Sequence, residues 1–205
     1  MNAVFREIPD EILLERFNEG HVDAFEELLA RYRRPVFNFV LRSVRDVGRA
    51  EEILQEVFLR VVQRSGEFRG HSKFSTWLYT IARNQCIDHG RKMAFRRHAS
   101  LDAPSHASEG DQGPTLLDRV ASQGPGSDRE AIGRQLKEAI ERAIEELPEE
   151  QREVFLMRQV QNLAFKDIAT VVGTSENTVK SRMRYALERL QGALAEYEDY
   201  LEQLK

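Results

Sequence analysis

Cysteine is almost absent from this chain, and so are long apolar runs. The 205 residues include one cysteine, Cys86, which excludes an intramolecular disulfide and favours a reducing compartment. The richest apolar run, residues 36–41, is broken by Asn38 and is far shorter than the roughly 18 residues of a membrane span. The first residues lack the apolar segment of a secretory signal. We therefore predict a soluble, cytoplasmic protein.

The sequence also has few residues arranged for catalysis or metal binding. His71, His89 and His98 do not fall at metal-ligand spacings and have no cysteine partners. Cys86 has no evident base beside it, and a glycine-rich phosphate loop is missing. The acidic residues at 145–150 flank a predicted helix start, where carboxylates favour the helix dipole. We predict no metal, no cofactor and no enzymatic activity.

Charge is unevenly distributed along the chain. The total is −4, but residues 60–98 hold nine basic and two acidic residues, a net charge of +7. Residues 138–157 hold seven acidic and two basic residues, a net charge of −5. A local excess of positive charge is what binding to nucleic-acid phosphates requires, whatever the total.

Composition divides the chain into two domains. Residues 99–128 contain three of the six prolines and four of the twelve glycines, a composition typical of a linker. On either side the apolar residues recur with helical period, and no region alternates convincingly with period two. We predict an all-α protein with domains at 1–98 and 131–205 and a flexible linker at 99–130.

Candidate capping residues indicate where the helices of the first domain begin. Asp10 and Asp23 are candidate N-caps of the first two helices, and Asp46 of the third. Pro35 is expected to kink the second helix. A fourth helix is expected from about Ser72.

The second domain contains the spacing of a helix-turn-helix. Helices are expected at 132–146, 148–158 and 165–171, and from Ser175 at least to Leu190. Ala169 is a small residue at the position where the two helices must touch, and Gly173 falls in the turn between them. Val179 is expected to pack where the two helices cross.

The last helix of this motif has one polar face. Its buried stripe turns Asn177, Ser181, Arg184 and Tyr185 outward, with Lys180 and Arg182 on the flanks, where they can reach phosphates. The alternative interpretation is an ordinary helical hairpin with a solvated basic face.

A second candidate segment, residues 68–92, alternates basic and aromatic residues. Such a surface suits single-stranded nucleic acid, because bases stack on rings while phosphates meet cations. Phe74 and Trp77 also fit a buried stripe, so core packing is the favoured interpretation for these two. Tyr79, Arg83 and Asn84 lie off that stripe, which favours a surface position.

The order of these motifs resembles bacterial sigma factors of the extracytoplasmic-function group, which have only sigma domains two and four. The resemblance covers roughly residues 8–97 and 131–192. The matching segments are 23–28, 50–60, 68–70, 76–79, 81–84 and 87–88 in the first domain, and Leu147-Pro148-Glu149 with Arg152 and Val154 in the second.

The resemblance implies three sets of site residues. Core RNA polymerase would bind Asp46, Glu51, Glu52, Gln55, Glu56 and Phe58. The opened, single-stranded minus-ten element would contact Phe68, Arg69, His71, Ser72, Lys73, Thr76, Trp77, Tyr79, Arg83 and Asn84. The duplex minus-thirty-five element would contact Asn177, Thr178, Lys180, Ser181, Arg182, Arg184 and Tyr185.

The resemblance further implies a promoter-directing subunit of RNA polymerase and an anti-sigma factor as a second partner. The linker would permit a closed arrangement that such an inhibitor selects. His71 and the pair Arg184-Tyr185 depart from the residues expected at those places, which leaves the promoter sequence open. The alternatives are a mimic that only sequesters an anti-sigma factor, a stand-alone helix-turn-helix regulator and a nucleic-acid enzyme.

Overall fold

The structure is a computed structural model that describes residues 7–99 and 128–197. Most of the predicted linker and the C-terminal residues 198–205 lie outside the described part. The described residues contain helices and no strands, which confirms the all-α prediction. The first domain contains α1 (Asp10–Asn18), α2 (Val22–Val44), α3 (Val47–Arg64) and α4 (Phe74–Ala99). The second contains α5 (Asp128–Glu146), α6 (Glu149–Phe155), α7 (Phe165–Val172) and α8 (Glu176–Ala193).

Helices α2, α3 and α4 pack against one another to form the core of the first domain. Leu28, Val57 and Leu78 have no exposed surface, and Phe39 and Ile53 are 2% exposed. Each such side chain contributes roughly 1.5–3 kcal/mol through burial. The helical spacing that predicted these stripes therefore marks real core residues.

The predicted cap at Asp10 is wrong, because this residue serves a tertiary contact instead. Helix α1 has Pro9 at its N-cap without a side-chain hydrogen bond. The Asp10 carboxylate accepts hydrogen bonds from Arg31 at 2.6 Å and from the Tyr32 hydroxyl at 2.5 Å. Asp10 thus ties α1 to α2.

The second predicted cap, Asp23, is wrong too. Helix α2 already begins at Val22, with His21 at the N-cap. The Asp23 carboxylate accepts from the neighbouring Ala24 N–H. Pro35 lies inside the helix.

The predicted starts of α3 and α8 are confirmed, and a side chain caps each helix. The Asp46 carboxylate accepts from the Arg49 N–H at 2.8 Å, and the Ser175 hydroxyl accepts from the Thr178 N–H at 3.1 Å. Each bond satisfies a backbone donor that has no partner within its helix.

The predicted helix-turn-helix is formed by α7 and α8. Gly173 ends α7 with φ +70°, a left-handed conformation that glycine adopts without a steric penalty. On α8 the buried residues are Val179, Met183, Ala186 and Leu190, the stripe that the sequence predicted. A π-helical turn, Leu156–Val160, connects α6 to the loop before α7.

The two domains are packed directly against each other, and we call this packing the closed arrangement. Helix α4 of the first domain lies against α7, and the Leu156–Val160 turn lies against α2. Apart from Leu136, the buried apolar residues of both domains belong to one contiguous cluster. The single chain can therefore close on itself through direct contact between its domains.

The Asp46 cap supplies a prediction about stability. Asp46→Ala should lower the free energy of unfolding by about 1 kcal/mol, because the Arg49 N–H loses its partner. Asp46→Asn should retain most of that stability, since asparagine caps nearly as well. Urea unfolding of both variants measures the difference, and equal losses would contradict the capping role.

Candidate nucleic-acid and polymerase interfaces

The outward face of α3 is exposed and mixes polar with apolar side chains. Glu52 and Gln55 are exposed, and Leu59 and Val62 are 56% and 39% exposed. These four residues recur every three or four positions and so share one side of the helix. We call them the α3 face. Leu59 and Val62 were not among the predicted site residues, although their spacing from Gln55 identifies them.

The remaining predicted polymerase residues differ in what they contact. Phe58 is 8% exposed and packs edge-on against Phe25, so it supports α3 from beneath and is too buried for a direct polymerase contact. Asp46 and Glu51 are exposed. The side-chain amide of Gln85 is oriented so that its oxygen accepts from Arg60 and its nitrogen donates to the Glu56 carboxylate at 2.7 Å. Glu56 therefore also joins α3 to α4.

The loop before α4 carries exposed basic side chains around an aromatic cluster. Arg69, His71 and Lys73 are exposed, and Ser72 is half-buried. The ring of Phe68 lies 5.3 Å from that of Trp77. Both rings are partly buried against the core, so each keeps some accessible surface.

Phe74 begins α4 and lies at the centre of that aromatic cluster. It is fully buried, as expected, and its ring lies 6.1 Å from that of Trp77. The Phe74 N–H donates to a carboxylate oxygen of Glu11 in α1 at 2.7 Å. The start of α4 is therefore fixed by a residue more than 60 positions earlier in the chain.

The surface position expected for Tyr79 is wrong in the closed arrangement. Tyr79 is 1% exposed, and its ring packs edge-on against that of Phe39 in α2, 5.4 Å away. Its hydroxyl donates to the side-chain oxygen of Gln161 in the second domain, and the side-chain nitrogen of Gln161 donates to the Pro35 backbone carbonyl. Burial raises the pKa of the Tyr79 hydroxyl above its usual range. Thr76, another predicted DNA contact, is 2% exposed.

Two predicted DNA cations are also paired with the second domain. The Arg83 guanidinium donates to the Glu153 carboxylate, and the Lys73 ammonium lies 3.4 Å from the Asp167 carboxylate. Burial raises the pKa of Glu153, against the opposing effect of its hydrogen bond to Arg83. Asn84, one residue further along α4, remains exposed.

Helix α8 presents most of its predicted DNA residues to solvent. Asn177, Lys180, Ser181, Arg184 and Tyr185 are exposed, and Thr178 is half-buried. The Arg184 guanidinium stacks over the Tyr185 ring, 4.9 Å from its centroid. Its ion pair with Glu188, at 3.6 Å, is between exposed side chains and is weak enough for a DNA base to displace.

Arg182 differs from the other cations of this helix. Its guanidinium donates to the Glu150 carboxylate of α6 at 2.6 Å, and its side chain is 22% exposed. Lys180 has a similar pair with Glu176 at 2.7 Å, but its own side chain is 52% exposed. Lys180 is thus free to turn towards a phosphate, whereas Arg182 is engaged in joining α8 to α6.

Over the described ranges, 7–99 and 128–197, the structure places no three His, Cys, Asp or Glu side chains where they could hold a metal ion. Helices long and apolar enough to cross a membrane are likewise absent from this part of the chain.

Comparison with known proteins identifies both domains. Residues 28–96 match the Sigma-70 region 2 family and residues 137–190 match the Sigma-70 region 4 family. The chain is 31% identical to the RNA polymerase sigma-H factor of Pseudomonas aeruginosa, over 90% of this chain and 93% of that protein. It is 32% identical to the RNA polymerase sigma factor CarQ of Myxococcus xanthus, over 90% and 97%.

Solved structures share the fold. The sigma factor RpoE of Bartonella quintana, solved with the anti-sigma factor NepR, superposes with a TM-score of 0.64 at 21% identity, over 83% of this chain and 96% of that one. CnrH, solved with the cytosolic domain of CnrY, gives a TM-score of 0.62 at 18% identity, over 91% and 97%.

A further sequence relative is named as a member of the ECF group of sigma factors. The ECF RNA polymerase sigma-E factor of Escherichia coli K12 is 29% identical over 90% of this chain and 93% of its own length. The chain belongs to the extracytoplasmic-function sigma factors, the initiation factors that bind core RNA polymerase and direct it to promoters.

Proposed function

We propose that three surfaces of the chain each have one function in transcription initiation. The α3 face binds core RNA polymerase. Helix α4 and the loop before it hold the opened minus-ten strand, and α8 reads the minus-thirty-five element in the major groove. The protein itself carries out no catalysis and acts in the cytoplasm, where RNA polymerase is.

The observation that carries this proposal is the polarity of α8. One side of the helix is buried in the second domain, while Lys180, Ser181 and Arg184 are exposed on the other side. A helix-turn-helix reads bases with such an outward face, and its cations bind phosphates. A mimic that only sequesters an inhibitor would need none of these side chains.

An anti-sigma factor is the proposed second partner. The support comes from two solved structures: RpoE was solved with the anti-sigma factor NepR, and CnrH with the cytosolic domain of CnrY. Their folds match 83% and 91% of this chain, and we infer that a partner of the same kind binds it.

Run-off transcription with core polymerase and fragments of the source genome tests the function. Specific transcripts that depend on the added protein are the expected result. A stand-alone regulator would instead bind duplex promoter DNA without polymerase, and a mimic would bind an anti-sigma factor without supporting transcription.

Substitutions on the α3 face test the polymerase interface. Gln55→Lys and Leu59→Asp should each weaken binding to core polymerase about tenfold or more, because each places a charge in the interface. Both variants should remain folded, since neither side chain is buried. Glu56→Lys should in addition lower thermal stability, through its lost contact with Gln85. Binding is measured by fluorescence anisotropy of labelled protein titrated with core enzyme.

Val22→Asp is the matched control for Leu59→Asp. Val22 is an exposed apolar residue of the same domain, 63% exposed at the start of α2, and is not part of the α3 face. If Leu59→Asp bound core polymerase as well as the unaltered chain, or if Val22→Asp lost as much affinity, the α3 face would not be the polymerase interface.

Asn84→Ala tests the minus-ten role of α4. If Asn84 helps to hold an unstacked base, its loss should impair open-complex formation on duplex promoters more than on pre-melted ones. A pre-melted template no longer requires unstacking, which costs a few kcal/mol. Permanganate footprinting on the two templates makes the comparison, and equal defects would exclude a role in strand opening.

Substitutions of Arg184 and Lys180 distinguish base recognition from phosphate binding. Arg184→Ala should relax the preference at one base pair by about 1–3 kcal/mol. Lys180→Ala should weaken binding on all sequences and reduce the salt dependence by roughly one charge. Binding-site selection with the holoenzyme measures both effects. An unchanged minus-thirty-five preference for Arg184→Ala, with only a shallower salt dependence, would make Arg184 a phosphate contact.

A further inference from the structure

Gln85 is a buried polar residue on the core side of α4. It is 3% exposed and continues the helical spacing of the buried residues Leu78 and Ile81. An apolar side chain would fill this position without the cost of burying an amide. Because a buried amide is tolerated only when hydrogen bonds satisfy it, the partners of Gln85 indicate what it does.

Both partners of the Gln85 amide lie on α3, one helical turn apart. Its nitrogen donates to the Glu56 carboxylate at 2.7 Å, and its oxygen accepts from the Arg60 guanidinium. Apolar packing between two helices has no preferred direction, whereas a hydrogen bond weakens steeply when its angle changes. The amide therefore specifies one position of α4 along α3.

Polar contacts tie both ends of the buried part of α4 to the first domain. At its start, the Phe74 backbone N–H donates to the Glu11 carboxylate of α1 at 2.7 Å. Gln85 lies about three helical turns, or roughly 16 Å, further along the helix. Contacts at two separated points determine the direction of a helix, so α4 cannot slide or tilt on the core without breaking one of them.

Gln85 lies next to two of the proposed functional surfaces. Asn84, proposed to hold an unstacked base, directly precedes it on α4 and is exposed. Glu56, its partner on α3, directly follows Gln55 of the α3 face. One buried amide therefore connects the helix that docks on polymerase with the helix that holds the DNA strand.

We propose that Gln85 is a positioning residue for transcription initiation, whose amide sets the alignment of α4 on α3. This inference rests on the proposed functions of α3 and α4. Polymerase fixes α3 through the α3 face, and α4 holds the minus-ten strand. The alignment of the two helices therefore sets the distance from the held strand to the polymerase active centre, and with it the nucleotide at which transcription starts. Gln85 is buried and acts on the strand through α4.

Gln85→Leu removes the directional contacts and keeps a side chain of similar size. Glu56 and Arg60 are exposed and regain hydrogen bonds to water, so the melting temperature and the affinity for core polymerase should be unchanged. On a promoter fragment that the unaltered chain transcribes, this variant should shift transcription starts to neighbouring nucleotides and lower the yield of open complexes about threefold. Primer extension and permanganate footprinting measure the two effects. Loss of core packing alone would lower stability without moving the start nucleotide.

Exchanging the two partner residues tests whether the hydrogen bonds themselves carry the effect. Gln85→Glu replaces the donor with a second carboxylate that faces Glu56, and it should shift the start nucleotide as well. Glu56→Gln alone should keep the original start nucleotide, because the amide oxygen at position 56 still accepts from Gln85. The double variant Glu56→Gln/Gln85→Glu again places a donor opposite an acceptor, with the direction reversed, while Arg60 still donates to position 85. It should restore the original start nucleotide.

All variants are compared as purified holoenzymes, so that any weaker binding of core polymerase does not enter the comparison. An unshifted start nucleotide with Gln85→Leu would overturn the inference, and so would a double variant that starts no more accurately than Gln85→Glu. If Gln85→Leu folds poorly by circular dichroism, the comparison of Gln85→Glu with the double variant decides by the same criterion. Failure of the unaltered chain to support run-off transcription would instead contradict the proposed function.

Discussion

Helix α4 is packed on two sides, and the architecture depends on that packing. One side carries Phe74, Leu78 and Ala82 into the core of the first domain, where none of them has any exposed surface. The other side lies against α7. Because the same helix belongs to both packing layers, the two apolar cores merge into one cluster. A change in the position of the second domain therefore changes what α4 presents to solvent.

The interface between the domains combines polar contacts with a shared apolar cluster. The Tyr79 hydroxyl, the Arg83 guanidinium and the Glu153 carboxylate are each satisfied by a partner across the interface. Such groups regain hydrogen bonds to water when the domains separate, so their net contribution is only about 1–3 kcal/mol each. The apolar residues that join the two cores would lose their burial energy without replacement.

The location of charge explains how an acidic protein can present a DNA-binding surface. The net charge of −4 hides a basic segment around α4 and an acidic segment around α5 and α6. In the closed arrangement part of the acidic segment lies on the basic one, through the Arg83–Glu153 pair. Both side chains of this pair are mostly buried, so dissolved salt screens it less than it screens an exposed ion pair.

Local signals in the sequence were sufficient for much of the fold. Helical periodicity and the helix starts at Asp46 and Ser175 depend on residues a few positions apart, and these predictions are confirmed. The order of short motifs identified the family for the same reason, since each motif lies within one helix or turn. The outward residues of α8 followed from its buried stripe.

Contacts between distant segments decided the rest. Asp10 has the residue type and place of a cap, but its carboxylate accepts from Arg31 and Tyr32, which lie more than 20 positions further along the chain. Tyr79 lies off the predicted stripe and was expected at the surface, yet its ring packs on Phe39 and its hydroxyl binds Gln161, a residue beyond the linker. Arg182 has the spacing of a phosphate ligand but is paired with Glu150. Periodicity reports which side of a helix is buried within its own domain, whereas only the tertiary structure decides which groups cover the other side.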